Sequence, residues 1–362
     1  MERGINIERS DMYMKAAVLH ANMDLRYEDY PTPSCGAGEV LVRVHMTGIC
    51  GSDVSRVLYN GAHGYPIVLG HEFSGVVEQV GEGVTRVKVG DHVSGAPLLP
   101  CMECADCQRG NFSLCKHYSF IGSRQQGSFA EYVVLPERNA IVYDSSIPFE
   151  QAAFFEPSTV ALHGVMLNDY RGGGHVAILG GGTIGLFTAQ WARIYGAADV
   201  TVLDVVPERL ELARKLGATY TVNTTDADFK EQCDKITGGR GFDYTFETAG
   251  AVPTMHMAFE LAGNRSHVTF IGTPHNEITF TAKEWELLNR KEFKMTGSWM
   301  SYSAPFPGAE WELTAHYFAN GQLKYDPALI YKKFPLSEAM DAFKLYTIPG
   351  AVHGKLMLEV TK

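Results

Sequence analysis

Apolar and polar positions fall into two textures along this chain. From Met14 the segments MKAAVLH, EVLVRVHMTG, FSGVVEQVG and DHVSG carry β-branched, partly alternating residues punctuated by glycine, the period-two pattern of half-buried strands joined by turns. They predict an antiparallel, barrel-like first third. Near residue 165 the texture changes. HVAILGGGTIGLFTAQWARIYGA reads as a buried strand, a Gly-rich turn and a helix, and DVTVLDVVPERLELARKLGA as a second strand and helix. FDYTFETAG and HVTFIGT add two short apolar strands, separated by the helical AVPTMHMAFELAG. Such alternation predicts a parallel sheet with helices on both faces. After Trp299 the elements are mixed again and end in the strand-like KLMLEV. The fold class expected is α/β: a mostly β domain over residues 14–165, an inserted parallel-sheet domain over 166–297, and a C-terminal return over 298–362. Residues 1–13 are polar and aperiodic, and read as a frayed extension or an upstream start. Neither an internal repeat nor a low-complexity linker interrupts this plan.

Composition narrows the function classes. The chain has 362 residues with 31 Lys+Arg against 41 Asp+Glu, a formal charge of −10, which argues against a nucleic-acid partner because phosphate-backbone binding needs a basic face. A small anionic substrate stays compatible, since one local Arg or Lys can hold a phosphate whatever the net charge. The N-terminal stretch has no uninterrupted apolar core of a secretory signal, and no segment reaches the ~18 consecutive apolar residues of a membrane span. A soluble, cytoplasmic protein is expected. Of seven cysteines, four crowd into one stretch, which is metal-ligand rather than disulfide spacing; Cys35 and Cys233 read as ordinary thiols.

Gly180, Gly182 and Gly185 form G-x-G-x-x-G around Thr183 and Ile184, between the strand VAIL and the following helix. The first glycine permits the tight turn, the second lets the backbone approach a pyrophosphate, and the third lets helix pack on strand. Free N–H groups at the helix start then face the phosphates. The next strand ends at Asp204, 19 residues beyond Gly185, close to the ~20 expected of a ribose-binding acid. A carboxylate there accepts from both ribose hydroxyls and repels a 2′-phosphate, so NAD is favoured over NADP. Arg209 is placed beside the adenine ribose or in solvent. The alternative reading is a merely tight turn.

Cys101, Cys104, Cys107 and Cys115 form C-x2-C-x2-C-x7-C, able to close a tetrahedron around a structural zinc with no open position. A second set is scattered: Cys50 in GICGSD, His71 and Glu72 in LGHEFSG, and Glu156 in FFEPSTVALHG. One thiolate, one imidazole and one or two carboxylates suit a catalytic zinc with an exchangeable position. Spacing alone does not bring them together, and each taken singly is equally a packed residue. His163 is most simply a packed helix histidine.

Taken together, GHEFSGVVEQVG, the four-cysteine lobe, GSFAEYVV, the EP turn and GGGTIG follow in the order of the zinc-containing medium-chain dehydrogenase family, which the chain resembles from about Met14 to Leu358. The resemblance implies a GroES-like catalytic domain interrupted by a Rossmann domain, an active site in the cleft between them, and a homodimer or homotetramer. Within the family the chain looks most like polyol dehydrogenases of the sorbitol type. The stretches NGAHGYPIVLGHEFSG, PLLPCMECADC, YSFIGSRQQGSFAEY and RKEFKMTGSWMSYSAPFPGAEWE are similar to a branch acting on polyol phosphates.

Carried over by position, Cys50, His71 and Glu156 match the catalytic zinc ligands. Glu72 matches a carboxylate just behind the metal, Asp53 the acid that orients the ligand histidine, and Ser52 the hydroxyl that hands on the substrate proton. Where many alcohol dehydrogenases continue that relay with a histidine, this chain has Ser55. The resemblance thus implies zinc- and NAD-dependent oxidation of a secondary alcohol, the partner being a small polyol or polyol phosphate. For the phosphorylated substrate Arg124 is the first candidate cation and Arg290 or Lys291 the second. Against these stand plainer roles, Arg124 pinning its own loop and RKE packing at the domain junction. Trp299 lines the substrate cleft or belongs to an interface core.

Overall fold

The computed structural model describes residues 13–361, so the polar extension read over the first residues lies outside it, except that Tyr13 opens the first strand. The chain divides into two compact units. Unit 1 comprises the residues up to Glu156, Ser303–Ala319 and those from Ile330; unit 2 comprises Pro157–Tyr302 and Asn320–Leu329.

The strands in chain order are β1 (Tyr13–Ala21), β2 (Asp24–Pro31), β3 (Glu39–Gly48), β4 (Ile67–Val68), β5 (Glu72–Val80), β6 (His92–Gly95), β7 (Leu98–Leu99), β8 (Ser119–Phe120), β9 (Tyr132–Pro136), β10 (Ala140–Val142), β11 (His175–Leu179), β12 (Asp199–Asp204), β13 (Tyr220–Asn223), β14 (Phe242–Glu247), β15 (Ala262–Phe270), β16 (Lys294–Gly297), β17 (Ile330–Pro335) and β18 (Lys355–Glu359). In unit 1, β2-β1-β4 form one sheet, and β10-β6-β5-β3-β18-β17, with β9 also on β3, form a larger one. The pairings are antiparallel as expected of the first third, but β17 runs parallel to β18. Alternation explains the strands: Val40, Val42 and Val44 of β3 are fully buried with Phe73, Val93 and Leu135.

Register in this sheet positions the chemistry. Gly48, the last residue of β3, pairs with Glu72, the first of β5, and also with Met357 of β18. Ile49 N–H donates to the Leu356 carbonyl at 2.9 Å. Three strands therefore deliver Cys50, His71 and Lys355 to one end of the sheet. Only glycine fits at position 48, because a Cβ there would collide with the Glu72 carboxylate.

Unit 2 is the expected parallel sheet, in the order β13-β12-β11-β14-β15-β16. Order reverses between β11 and β14, the crevice where open α/β sheets bind ligands at their carboxyl ends. Its core joins Ala177, Leu179, Leu203, Phe242 and Val268 to the aromatic Phe259 and Phe293. The helix Pro207–Lys215 starts on Pro207, carries Glu208 in its first turn and ends with Arg214 and Lys215, charges that complement its dipole. No described helix is long and apolar enough to cross a membrane.

Candidate active site

Among the described residues two groups are close enough to hold a metal ion, and both were legible as ligand types. Around the four-residue helix Ala105–Gln108, Cys101, Cys104, Cys107 and Cys115 bring their thiols within 4.8 Å of one another. Separations of 4.0 Å for Cys101–Cys107, 4.0 Å for Cys104–Cys115 and 3.5 Å for Cys101–Cys115 match the ~3.8 Å edge of a tetrahedron built on ~2.3 Å zinc–sulfur bonds. Backbone N–H groups of Cys107 and Lys116 pull the Cys104 thiol down to about 6, whereas burial pushes Cys107 up to about 12. Cys101 and Cys115 sulfurs accept the N–H groups of Cys104 and Cys101. Four thiol groups converging without a disulfide fit a closed structural zinc site.

The second group is Cys50, His71 and Glu72, again within 4.8 Å. Cys50 precedes the short helix Gly51–Ser55, and His71 immediately precedes β5. Asp53 is wholly buried on that helix. Its Oδ2 accepts the Cys50 N–H at 3.2 Å, and its Oδ1 lies 3.6 Å from His71 Nδ1. Both of the latter atoms are buried without a hydrogen bond, so a slight closure would fix the ring with Nε2 as the donor atom. The Phe120 ring meets the His71 ring edge-on at 5.4 Å. Glu156 stands outside this tight set, but its carboxyl is influenced by His71, Glu72 and Cys50.

Electrostatics show what the cluster lacks. Burial, then Glu72, pushes the Cys50 thiol up to about 11, with Lys355 and the Ser52 hydroxyl opposing it. Burial likewise pushes Glu156 up to about 8, with Glu72 and Cys50 adding to it against His71, and it raises Asp53. Acids forced together in low dielectric stay protonated unless a cation compensates them. The soft thiolate, imidazole and carboxylate donors, brought within 4.8 Å of one another, fit a divalent zinc ion.

One member of the cluster escaped the sequence reading. Lys355, at the start of β18, is buried and donates to Glu72 Oε1 at 2.8 Å and to the Ile49 carbonyl at 3.3 Å, with Glu72 Oε2 at 2.7 Å. Burial alone would lower its pKa, but Glu72 and Cys50 reverse this and hold it raised. The sequence signal was a lysine directly before the apolar run Leu356–Leu358.

In unit 2, Gly180 takes φ +104°, and a Cβ on Gly185 would collide with the Gly180 carbonyl oxygen. Gly182 caps the helix Thr183–Ile194, which places Thr183 and Ile184 in its first turn. The buried Asp204 accepts N–H groups of Gly181 at 2.6 Å and Val206 at 2.8 Å, and Arg209 Nη1 lies 3.6 Å from it. A cavity of about 480 Å³ lined by Gly180, Asp204, Arg209, Thr224 and Met257 opens here. Backbone N–H groups at a helix start beside a buried carboxylate fit a dinucleotide.

The remaining candidates have local partners. Arg124 lies over the Tyr118 ring, 4.7 Å from its centroid. Arg290 pairs with Glu286 at 2.9 Å. Lys291 Nζ donates to the carbonyls of Phe259, Glu260 and Ala262 at 2.7–3.0 Å, which commits it to a helix C-terminus. Trp299 is half exposed. His163 is buried, and the Ser55 hydroxyl accepts from Asn60.

A β unit with two zinc-type donor sets and a parallel-sheet unit with a dinucleotide turn define a metal-dependent oxidoreductase. Residues 36–145 match the alcohol dehydrogenase GroES-like domain family and residues 183–315 the zinc-binding dehydrogenase family. The chain is 40% identical over 294 residues to galactitol 1-phosphate 5-dehydrogenase of Escherichia coli strain K12, covering 81% of this chain and 85% of that one. It is 34% identical over 271 residues to sorbitol dehydrogenase of Bacillus subtilis, covering 73% and 77%. The crystal structure of the Escherichia coli galactitol-1-phosphate dehydrogenase superposes with a TM-score of 0.90 at 37% identity, covering 96% of this chain and all of that one. The chain belongs to the zinc-containing medium-chain dehydrogenase family, among its polyol dehydrogenases.

Proposed function

We propose that this enzyme oxidises a secondary alcohol of a polyol phosphate to the ketose phosphate with NAD, galactitol 1-phosphate to tagatose 6-phosphate being the specific reaction. The observation that carries the reading is the Cys50–His71–Glu72 cluster, with its histidine and glutamate buried and Glu156 under their influence. When bound, zinc supplies a Lewis acid for the alcohol oxygen and NAD supplies the hydride acceptor. Cys50 and His71, with Glu156 completing the set, would hold the metal, while Glu72 stays paired with Lys355. Asp53 orients the His71 ring through Nδ1. Ser52 takes the substrate hydroxyl proton and passes it on, and because Ser55 stands at the usual histidine position, the exit beyond Ser52 runs through water or another group. Asp204 receives the ribose hydroxyls and, as a buried carboxylate, repels a 2′-phosphate.

Support for the polyol class comes from the relatives above, and the likeness to the galactitol 1-phosphate 5-dehydrogenase of Escherichia coli favours a phosphorylated substrate for this chain. The likeness to sorbitol dehydrogenase favours a second reading, the same chemistry on a free polyol. Initial rates of NAD reduction with galactitol 1-phosphate, galactitol, sorbitol and xylitol, with and without a chelator, separate them. Preference for the phosphorylated substrate, lost on chelation, is expected; activity on free polyols alone discards the phosphate, and chelator-insensitive turnover discards the metal mechanism.

A further inference from the structure

Unit 1 carries basic side chains beside the metal cluster that the mechanism above leaves unused. Arg56 opens the π-helical turn Arg56–Asn60 directly after the Cys50 helix. Its Nη1 lies 3.8 Å from Asp53 Oδ1, the same oxygen that faces His71 Nδ1. That nitrogen is buried and makes no hydrogen bond, while the side chain as a whole keeps 21% exposure. Arg124 comes from a different part of the chain. Its N–H donates to the Phe120 carbonyl at 2.9 Å, and Phe120 is the residue whose ring abuts His71. The Arg124 guanidinium rests on Tyr118, with Nη2 3.5 Å from the Tyr118 hydroxyl; it is exposed and forms none of the ion pairs found among the described residues. His63 is exposed in the loop that follows the π-helical turn. Its pKa is lowered by burial and then by the charges of Arg124 and Arg56, so both guanidinium groups lie within electrostatic reach of its ring. Among the described residues Asp53 is the one carboxylate that forms an ion pair with any of them.

A chain of net charge −10 that gathers cations beside its metal ligands is built there for an anion. We infer that Arg124, Arg56 and His63 form the subsite that takes the phosphate of a polyol phosphomonoester. The inference rests on the proposed function and deepens it. Stacking on Tyr118 orients the planar fork of Arg124, which suits two parallel N–H···O bonds to phosphate oxygens. Arg56 stands between the phosphate and Asp53, so the anion meets a guanidinium rather than a carboxylate. With the phosphate held here, the carbon chain is anchored at one end, and the distance from anchor to metal ligands selects which secondary hydroxyl is oxidised. A free polyol lacks that anchor and presents its hydroxyls in several registers.

The test compares kcat/KM for galactitol 1-phosphate with that for galactitol in the parent enzyme and in Arg124→Ala, Arg124→Lys and His63→Ala. Charge-assisted hydrogen bonds of this kind predict that Arg124→Ala lowers the ratio of the two by roughly 10- to 100-fold, through KM more than kcat, and that Arg124→Lys restores part of it. Zinc content and melting temperature, read on each variant, detect a folding defect. Titration calorimetry with inorganic phosphate supplies a readout independent of turnover, with binding expected in the parent and weakened in Arg124→Ala and in Arg56→Gln. If the parent prefers the phosphorylated substrate and the variants keep both the ratio and phosphate affinity, the subsite is overturned and the proposed function stands. If the parent shows no such preference, the proposed function fails; phosphate binding lost in the variants then keeps an anion site here, and no phosphate binding overturns that too.

Discussion

Replacing Lys355 by methionine keeps the aliphatic length of the side chain and removes the charge that Glu72 faces. The two groups are separated by 2.7 Å, with side-chain exposures of 10% and 2%, so water cannot replace the lost partner. Removing one member of a buried ion pair leaves an uncompensated charge and costs about 3–5 kcal/mol. For a cooperative unit of roughly 150–250 residues each kcal/mol is worth about 2–4 °C, so the metal-free Lys355→Met protein is expected to melt about 6–20 °C below its parent. Zinc narrows the gap, because a cation beside Glu72 supplies part of the missing charge. The double variant Glu72→Gln/Lys355→Met recovers most of the loss, since it removes the orphaned charge itself. Differential scanning calorimetry of the four proteins, each with chelator and with zinc, closes the cycle. A metal-free Lys355→Met protein melting within about 2 °C of its parent, as after a surface substitution, would refute the argument.

Three further outcomes are expected. Cys50→Ala abolishes turnover but keeps NAD binding, measured by nicotinamide-coenzyme fluorescence, whereas Cys104→Ala first lowers solubility and melting temperature; a Cys50→Ala enzyme that turns over normally disproves the site. Asp204→Asn keeps the shape at the end of β12 but removes the charge, so KM for NAD rises by roughly 10-fold or more and discrimination against NADP falls, read from steady-state rates with both coenzymes; unaltered discrimination would show that selectivity arises elsewhere. Because Glu156 is held up at about 8 and Cys50 at about 11, a cation displaces protons from the folded site, and zinc affinity falls as pH drops from 8 to 6. Calorimetry in buffers of different ionisation enthalpy detects that release, and binding without proton release contradicts it.

What could be read in the sequence was what local chemistry encodes. The alternation of MKAAVLH gave β1, and the cysteine spacing gave the structural lobe, because each signal lies within a few consecutive residues. β13 and the helix Phe229–Thr237 went unread: the strand has four residues with one buried, and the helix offers few apolar anchors besides Cys233. HVTFIGT marked only the buried end of β15, whose start at Ala262 runs through the polar Asn264 and Arg265 and resembles a loop. Glu72 and Lys355 are 283 positions apart, and no period or spacing links them. Only the register that pairs Gly48 with both Glu72 and Met357 makes them neighbours. Arg56 and His63 were passed over for a similar reason, since their meaning depends on Phe120 and Arg124 arriving beside His71.

Charge gives these pieces a common logic. When ionised, Cys50, Asp53, Glu72 and Glu156 carry four negative charges inside unit 1, against which Lys355 and Arg56 return two. The remaining two negatives equal the charge of one divalent cation, with His71 as a neutral donor. A site built this way pays for its burial twice in the metal-free state, through retained protons and through the unmade hydrogen bond between Asp53 and His71. A divalent cation relieves the first of these by displacing the retained protons. Lys355 sets how far that crowding goes. Without it the count would rise to three uncompensated negatives, more than one divalent ion balances.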